Sequence, residues 1–143
     1  MSGVFSEREL AYLRAQRLAR LATVSRGLQP DVAPVTYAFD GARFYVGGLS
    51  LTRTLKYRNV RDYSRVALVV DDAPADGWTP RGVKVHGTAM IGERVGPAGP
   101  APAIVITPTT HWSWGIEAPP FRDGAPVIRR IVWGPPAGPG RPG

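Results

Sequence analysis

Between Arg17 and Asp72 the chain keeps turning back on itself. Runs rich in apolar and β-branched residues (RLARLATV, DVAPVTYAF, FYV, RVALVV) are broken at Gly27, Asp40-Gly41 and Gly47-Gly48. Short strands with turns this close together pair as antiparallel neighbours, so the pattern predicts hairpins rather than a parallel sheet. A strand is predicted at Leu18 to Val24 and a second from Asp31 to Phe39. Pro34 interrupts the second and demands an edge position or a bulge, because proline has no N–H for a ladder. Asp40-Gly41 predicts a type I′ turn into a third strand, Arg43 to Val46.

Beyond Gly47-Gly48 the chain switches to helix, Thr52 to Asp62, and then to Arg65 to Val70, an apolar run read as a strand buried on both faces. Asp71 to Pro80 reads as a loop. Gly82 to Ile91 alternates, with Val83, Val85, Gly87, Ala89 and Ile91 on one face and Lys84, His86 and Thr88 on the other. Ala103 to Ile106 and Val127 to Val132 complete a set of strands that predicts a mainly β fold, a small antiparallel barrel with short helices. Ser6 and Glu9 form a capping box, flanked by Phe5 and Leu10 as a hydrophobic staple. The helix they start ends near Arg17, with Leu10, Leu13 and Tyr12 on its apolar face to cover one barrel opening. Pro97 to Pro108 and Pro135 to Pro142 read as loose. One domain is expected over residues 1–133, followed by a disordered Gly/Pro-rich tail over 134–143.

A chain of 143 residues with 43% hydrophobic content can bury one core. It holds no cysteine, which removes disulfide scaffolds and thiolate metal sites. No apolar run reaches the ~18 residues of a membrane span, and the start lacks a signal peptide's apolar segment. The expectation is a cytoplasmic protein with no membrane partner. The net charge is +7, with the arginines scattered rather than massed. That distribution suits an anionic small molecule better than nucleic acid, whose footprint is a block of cations. A solvated basic surface is the plainer alternative.

The stretch Ser50 to Asn59 carries the best chemical signal. A helix start offers unpaired N–H groups and partial positive charge to a phosphate. Ser50, Thr52 and Thr54 add hydroxyls. Arg53 and Lys56 are three apart, which on one helix puts both on one face. Gly47 and Gly48 let a ligand approach the backbone. An ordinary capped helix with solvated cations explains the same residues equally well. Trp78, Arg81 and Lys84 form a second basic-aromatic group that could stack a flat ring or simply cover the barrel end. His111-Trp112-Ser113-Trp114-Gly115 reads as a strand with inward aromatics or as a wall for a planar cofactor. His86 and His111 have no metal-ligand spacing, so no metal is expected. No nucleophile elbow, dinucleotide glycine fingerprint or phosphate-binding P-loop is present. If the chain is an enzyme, a cofactor carries the reaction.

In their order and spacing, RLARLATV, the Pro34-Val35-Thr36-Tyr37 strand, DG, FYVGG, TRTLKYRNV, RVALVVDD, PRGVKVHGTA and SWGI resemble the pyridoxamine 5′-phosphate oxidase-like split-barrel superfamily. They are most similar to its branch that uses the deazaflavin coenzyme F420. The resemblance spans roughly residues 5 to 133. It implies a six-stranded antiparallel split β-barrel, a homodimer with cofactor sites at the subunit interface, and F420 or FMN as cofactor. It implies hydride transfer between reduced deazaflavin and a small organic substrate. FMN-dependent oxidase or reductase activity, or a non-catalytic cofactor carrier, are the alternatives. By resemblance Lys56 contacts the cofactor phosphate, with Arg53 and Thr54 assisting and Asn59 shaping the helix. Pro34, Val35 and Tyr37 would run beside the ring system. Trp78 and Arg81 would face the site from the partner subunit. His86 and Tyr37 are weak candidates for proton delivery, and no catalytic residue is assigned. The segments Glu93 to Pro102 and Ala118 to Pro126 depart from the family pattern and mark where substrate specificity would differ.

Overall fold

A computed structural model describes residues 4–75 and 79–134. The predicted tail, apart from Gly134, lies outside the described residues, as does Trp78. The chain runs α1 (Glu7–Ala15), β1 (Leu18–Val24), β2 (Pro30–Thr36), β3 (Ala38–Phe39), β4 (Phe44–Val46), a 3-10 turn (Leu51–Arg53) and α2 (Leu55–Asp62). It continues through β5 (Arg65–Asp72), β6 (Arg81–Gly96), β7 (Gly99–Trp114), β8 (Phe121–Arg122), β9 (Ala125–Pro126) and β10 (Arg129–Val132).

A single residue, Tyr37, separates β2 from β3, and those two strands are opposite ends of one sheet. The strand order is β2-β1-β5-β6-β7-β4-β3, with β10 also paired to β7 and every pairing antiparallel. The sheet therefore closes on itself through the chain at Tyr37. The phenol holds that corner by donating to the Leu13 carbonyl of α1 at 2.6 Å. The strand break falls here and not at Pro34, which sits within β2 opposite Arg20. The expected edge position for Pro34 is observed, since β2 ends the sheet path.

Inward side chains of β1, β4, β5, β6 and β7 make the core. Leu21, Phe44, Leu68, Val85, Ile104 and Ile106 are essentially fully buried. Each is worth about 1.5–3 kcal/mol of transfer free energy. Phe5 joins the core in front of α1, edge-on to Phe39 at 5.6 Å and to Phe44 at 6.2 Å. The capping box is present: the Ser6 hydroxyl accepts from Glu9 N–H at 3.1 Å, and the Glu9 carboxylate accepts from Ser6 N–H at 2.9 Å.

Several expectations change. β5 is not buried on both faces: Val66, Leu68 and Val70 point inward, while the residues between them are half-buried. The six strands implied by the resemblance and the seven read from the residues become eight in the main sheet, because Tyr37 divides the segment Asp31 to Phe39, while the expected strand Val127 to Val132 is present as β10 on β7. The stretch Pro97 to Pro108, read as loose, lies almost wholly in β7, and the Pro/Gly-rich segment 93–102 is ordered with it. β6 and β7 continue through it as paired strands up to Gly96 opposite Gly99. The bulge in that pair lies at His86/Gly87, where a Cβ on Gly87 would sit 2.6 Å from the Thr107 carbonyl oxygen. Asp40-Gly41 does not form a two-residue turn. Asp40 instead accepts from Ala42 N–H at 2.9 Å and Arg43 N–H at 2.7 Å, delaying the next strand to Phe44. The tight DG turn is at Asp123-Gly124, both at positive φ (53° and 78°), closing β8 onto β9 within the segment Ala118 to Pro126 that departs from the family pattern.

Candidate active site

The residues singled out between Gly47 and Lys56 form two short helical pieces. Ser50 adopts a left-handed conformation (φ 56°), and Gly48 has φ 139°, a value that side-chain-bearing residues rarely adopt. Leu51 is buried and anchors the 3-10 turn. Thr54 is extended (φ −84°, ψ 156°) and begins α2 as its N-cap. This break separates Arg53 from Lys56, so the two do not share one continuous helix face as the spacing predicts. Both cations carry no hydrogen bond or ion pair among the described residues. Arg53 is exposed and Lys56 half-buried. The Thr54 hydroxyl is already used: it donates to the Leu51 carbonyl at 2.6 Å and accepts from Tyr57 N–H at 3.3 Å. Asn59 is buried and donates to Thr23 Oγ1 at 2.9 Å, tying α2 to β1. Its expected role in shaping the helix fits that bond.

Along β2, Pro34 is exposed while Val35 belongs to the core. Only the backbone of Val35 is left to face outward. The Tyr37 phenol is committed to Leu13, and burial pushes its pKa up to about 12. It therefore holds its proton tightly. Arg81 lies at the Asp72 end of β5, remote along the strand from Arg65, where α2 leads in. Its guanidinium makes two bonds to Asp72, at 2.8 Å and 3.1 Å, and lies 5.0 Å from the Tyr12 ring. The Tyr12 phenol donates to the same Asp72 carboxylate at 2.8 Å. The Arg81 bond, assisted by Tyr12, holds the Asp72 carboxyl below its ordinary range despite partial burial.

Two concavities flank this region. The larger, about 580 Å³, lies on β1, β5, β6 and β7 and is walled by Thr23, Arg65, His86 and Thr109. None of Arg53, Thr54 or Lys56 lines it. The second, about 390 Å³, lies beside the Gly47-Gly48 loop and includes Ser50 and Thr52. Outside both, a buried polar cluster escaped the sequence reading. Glu9 accepts from His111 Nε2 at 3.0 Å, from Arg129 at 2.8 Å and from the Ser113 hydroxyl. Burial opposes ionisation of Glu9, but the bonds from His111, Ser113 and the Ser6 N–H outweigh it and hold the carboxyl at about 2. Trp133 Nε1 donates to His111 Nδ1 at 2.9 Å. Indole N–H can only donate, so the imidazole proton sits on Nε2. The set resembles a catalytic constellation, but Glu9, His111 and Ser113 are buried where α1 meets β7, while Arg129 of β10 is partly exposed.

Residues 5–96 match the pyridoxamine 5′-phosphate oxidase family. The chain belongs to that family. It is 39% identical over 120 residues to a 5a,11a-dehydrotetracycline/5a,11a-dehydrooxytetracycline reductase of Streptomyces rimosus, covering 79% of this chain and 84% of the relative. A solved conserved hypothetical protein of Mycobacterium tuberculosis superposes with a TM-score of 0.62 at 25% identity, covering 78% of this chain and 85% of that one. An F420 reductase superposes with a TM-score of 0.58 at 24% identity, covering 76% and 98%. These likenesses bear out the antiparallel split barrel. Family and reductase relative together make this member of the pyridoxamine 5′-phosphate oxidase family an oxidoreductase. No helix among the described residues is long and apolar enough to cross a membrane.

Proposed function

We propose that the protein is an F420-dependent oxidoreductase that passes a hydride between reduced deazaflavin and a small organic acceptor. The observation that carries this reading is Lys56. It is a half-buried cation in the first turn of α2 with no protein partner among the described residues, on the helix that follows the 3-10 turn after Gly47-Gly48. A cation left unpaired in that setting suits a phosphate, and the N–H groups of the first turn of α2 add to it. When bound, the deazaflavin supplies the hydride.

Lys56 and Arg53 hold the cofactor phosphate, and Thr54 keeps the turn in shape through its own cap. Pro34 and the Val35 backbone wall the ring system, while Tyr37 fixes the corner behind them. A second copy of the chain completes the site, bringing Trp78 and Arg81 to it. That dimer would cover Val32 and Leu49, which are 66% and 99% exposed here. The acceptor is a small molecule with an activated double bond, as the reductase relative's substrates suggest. Its proton comes from solvent or from His86, which lines the larger concavity, since Tyr37 is committed elsewhere. The net charge of +7 favours F420, whose tail carries several carboxylates, over FMN with its single phosphate.

FMN remains the competing cofactor, because the same cradle accepts its terminal phosphate. Titration of the purified protein with F420 and FMN side by side, followed by fluorescence, separates them. Tight F420 binding with weak FMN binding is expected. FMN binding alone moves the protein to a flavin-dependent oxidase or reductase. F420 binding without turnover of any activated alkene or imine identifies a carrier.

A further inference from the structure

Among the described residues, β10 is a four-residue strand with a single strand neighbour, β7. It pairs from Arg129 opposite Ser113 to Val132 opposite Thr110, and just beyond it the Trp133 N–H donates to the Thr109 carbonyl at 2.9 Å. Arg130 and Val132 are exposed, so burial of its outward face adds little. Side-chain bonds at the barrel end under α1 fasten it instead. Arg129 donates to both Glu9 oxygens, at 2.8 Å and 2.9 Å, and the Trp133 indole donates to His111 Nδ1 at 2.9 Å. The indole also meets the Phe5 ring edge-on at 5.1 Å.

His111 is wholly buried, and its neutral imidazole is satisfied at both nitrogens: Nδ1 accepts from Trp133, and Nε2 donates to Glu9 at 3.0 Å. A second proton, taken from solvent, can enter only at Nδ1, where the indole N–H already points. Indole N–H cannot accept, so an imidazolium and Trp133 would stand as two donors face to face. A buried donor without an acceptor is costly, and the cost is relieved when the indole leaves and water reaches Nδ1. The charged groups facing His111 pull in opposite directions. Glu9 of α1 favours the imidazolium, while Arg129 of β10, 3.4 Å from Nε2, opposes it. Ser113 of β7 and the Phe5 ring, also packed there, carry no charge, and Glu117 is bonded to the Ser6 hydroxyl.

We infer that β10 and Trp133 form an acid-released strap: a proton on His111 Nδ1 expels the indole, and β10 detaches from β7 while the barrel stays folded. The core does not depend on the strap, since Leu21, Leu68 and Val85 lie on β1, β5 and β6. Glu9 keeps its charge through the step, because its carboxyl is held at about 2. β10 also anchors the far end of the segment that carries β8 and β9, so its release frees that ribbon.

Nitrogen-15 NMR and amide hydrogen exchange on the whole protein, from about pH 7.5 down to about pH 5, test the strap. Native protein, Trp133→Phe and His111→Gln are compared, with exchange rates corrected for the intrinsic effect of pH. In native protein the protected amides of β10 are expected to lose about tenfold or more of their protection as His111 gains its second proton. The Trp133 indole resonance should move with them, while β1 and β5 stay protected. Trp133→Phe presents no opposing donor, so its β10 protection, whatever its starting value, should change less than about twofold over the same range. His111→Gln cannot charge and should behave alike; if that variant does not fold, Trp133→Phe carries the comparison alone. A second proton on His111 with the indole and β10 unmoved overturns the strap, as does an equal loss in native protein and Trp133→Phe. Joint loss of protection in β1, β5 and β10, or a His111 that stays neutral down to the lowest pH, overturns it too.

Discussion

Asn59 of α2 donates to Thr23 of β1 at 2.9 Å, and both side chains are buried. This bond sets where α2 lies against the barrel, and with it where the Lys56 ammonium can reach. Thr23→Val keeps the shape but leaves the Asn59 amide without its acceptor. A cost of about 1–3 kcal/mol is expected, the penalty for an unsatisfied buried donor. Urea unfolding measures it, and cofactor titration of the same variant should show weaker binding because α2 is no longer pinned. Native-like values in both would mean that helix packing alone positions Lys56.

Lys56→Ala should weaken F420 binding by about 1.5–3 kcal/mol, the scale of a charge-assisted hydrogen bond. Thermal stability should stay close to native, because Lys56 makes no hydrogen bond or ion pair with the described protein. Calorimetric titration reads the affinity, and an unchanged Kd removes Lys56 from the site.

The carboxyl of Glu9 is held at about 2 in the folded protein, against an ordinary value of 4.5. A lowered folded pKa contributes stability above the unfolded value and loses it as protons bind. The contribution is therefore complete above about pH 4.5 and fades as pH falls towards 2. Urea midpoints measured at pH 7, 4.5 and 3 should fall most steeply across the last interval. Glu9→Gln cannot ionise, so its profile should be flatter over that window. Parallel profiles would show that other carboxylates govern acid unfolding.

Trp133 dictates the tautomer of His111. Nitrogen-15 spectra should find the His111 proton on Nε2, with Nδ1 unprotonated, at neutral pH. Trp133→Phe removes the indole donor and should cost about 1 kcal/mol, the net worth of one hydrogen bond, plus the packing change. A proton found on Nδ1 in the native protein would contradict the Trp133 bond.

Much of this was readable before any tertiary contact. The capping box, β1, the helix after Gly47-Gly48 and the alternation of β6 from Val83 to Ala89 rest on residues within a few positions of each other. Arg53 and Lys56 stood out for the same reason, as cations around a helix start, and the resemblance then singled out Lys56. The reading failed where the partner was distant or the chain had choices. Asp40 captured two N–H groups and turned an expected two-residue hairpin into a longer loop. Thr54 broke the helix that would have aligned Arg53 with Lys56. The prolines from Pro97 to Pro108 suggested a loose segment, yet β6 and β7 carry the pairing through most of it. Glu9 was read as half of a capping box, which it is. Nothing near it in sequence announced His111, Ser113 or Arg129, which lie 102, 104 and 120 residues away.

By itself the sequence determined the succession of antiparallel strands, the capped N-terminal helix and the cations Arg53 and Lys56 around the start of the second helix. These follow from hydrogen bonds and side-chain periodicities that span only a few residues. Tertiary structure decided that the sheet closes at Tyr37, that Glu9 is buried in a satisfied cluster, and that Arg81 and Tyr12 converge on Asp72. Each of those depends on which strand edges meet. That choice is made by the burial of the whole core and leaves no local mark in the chain.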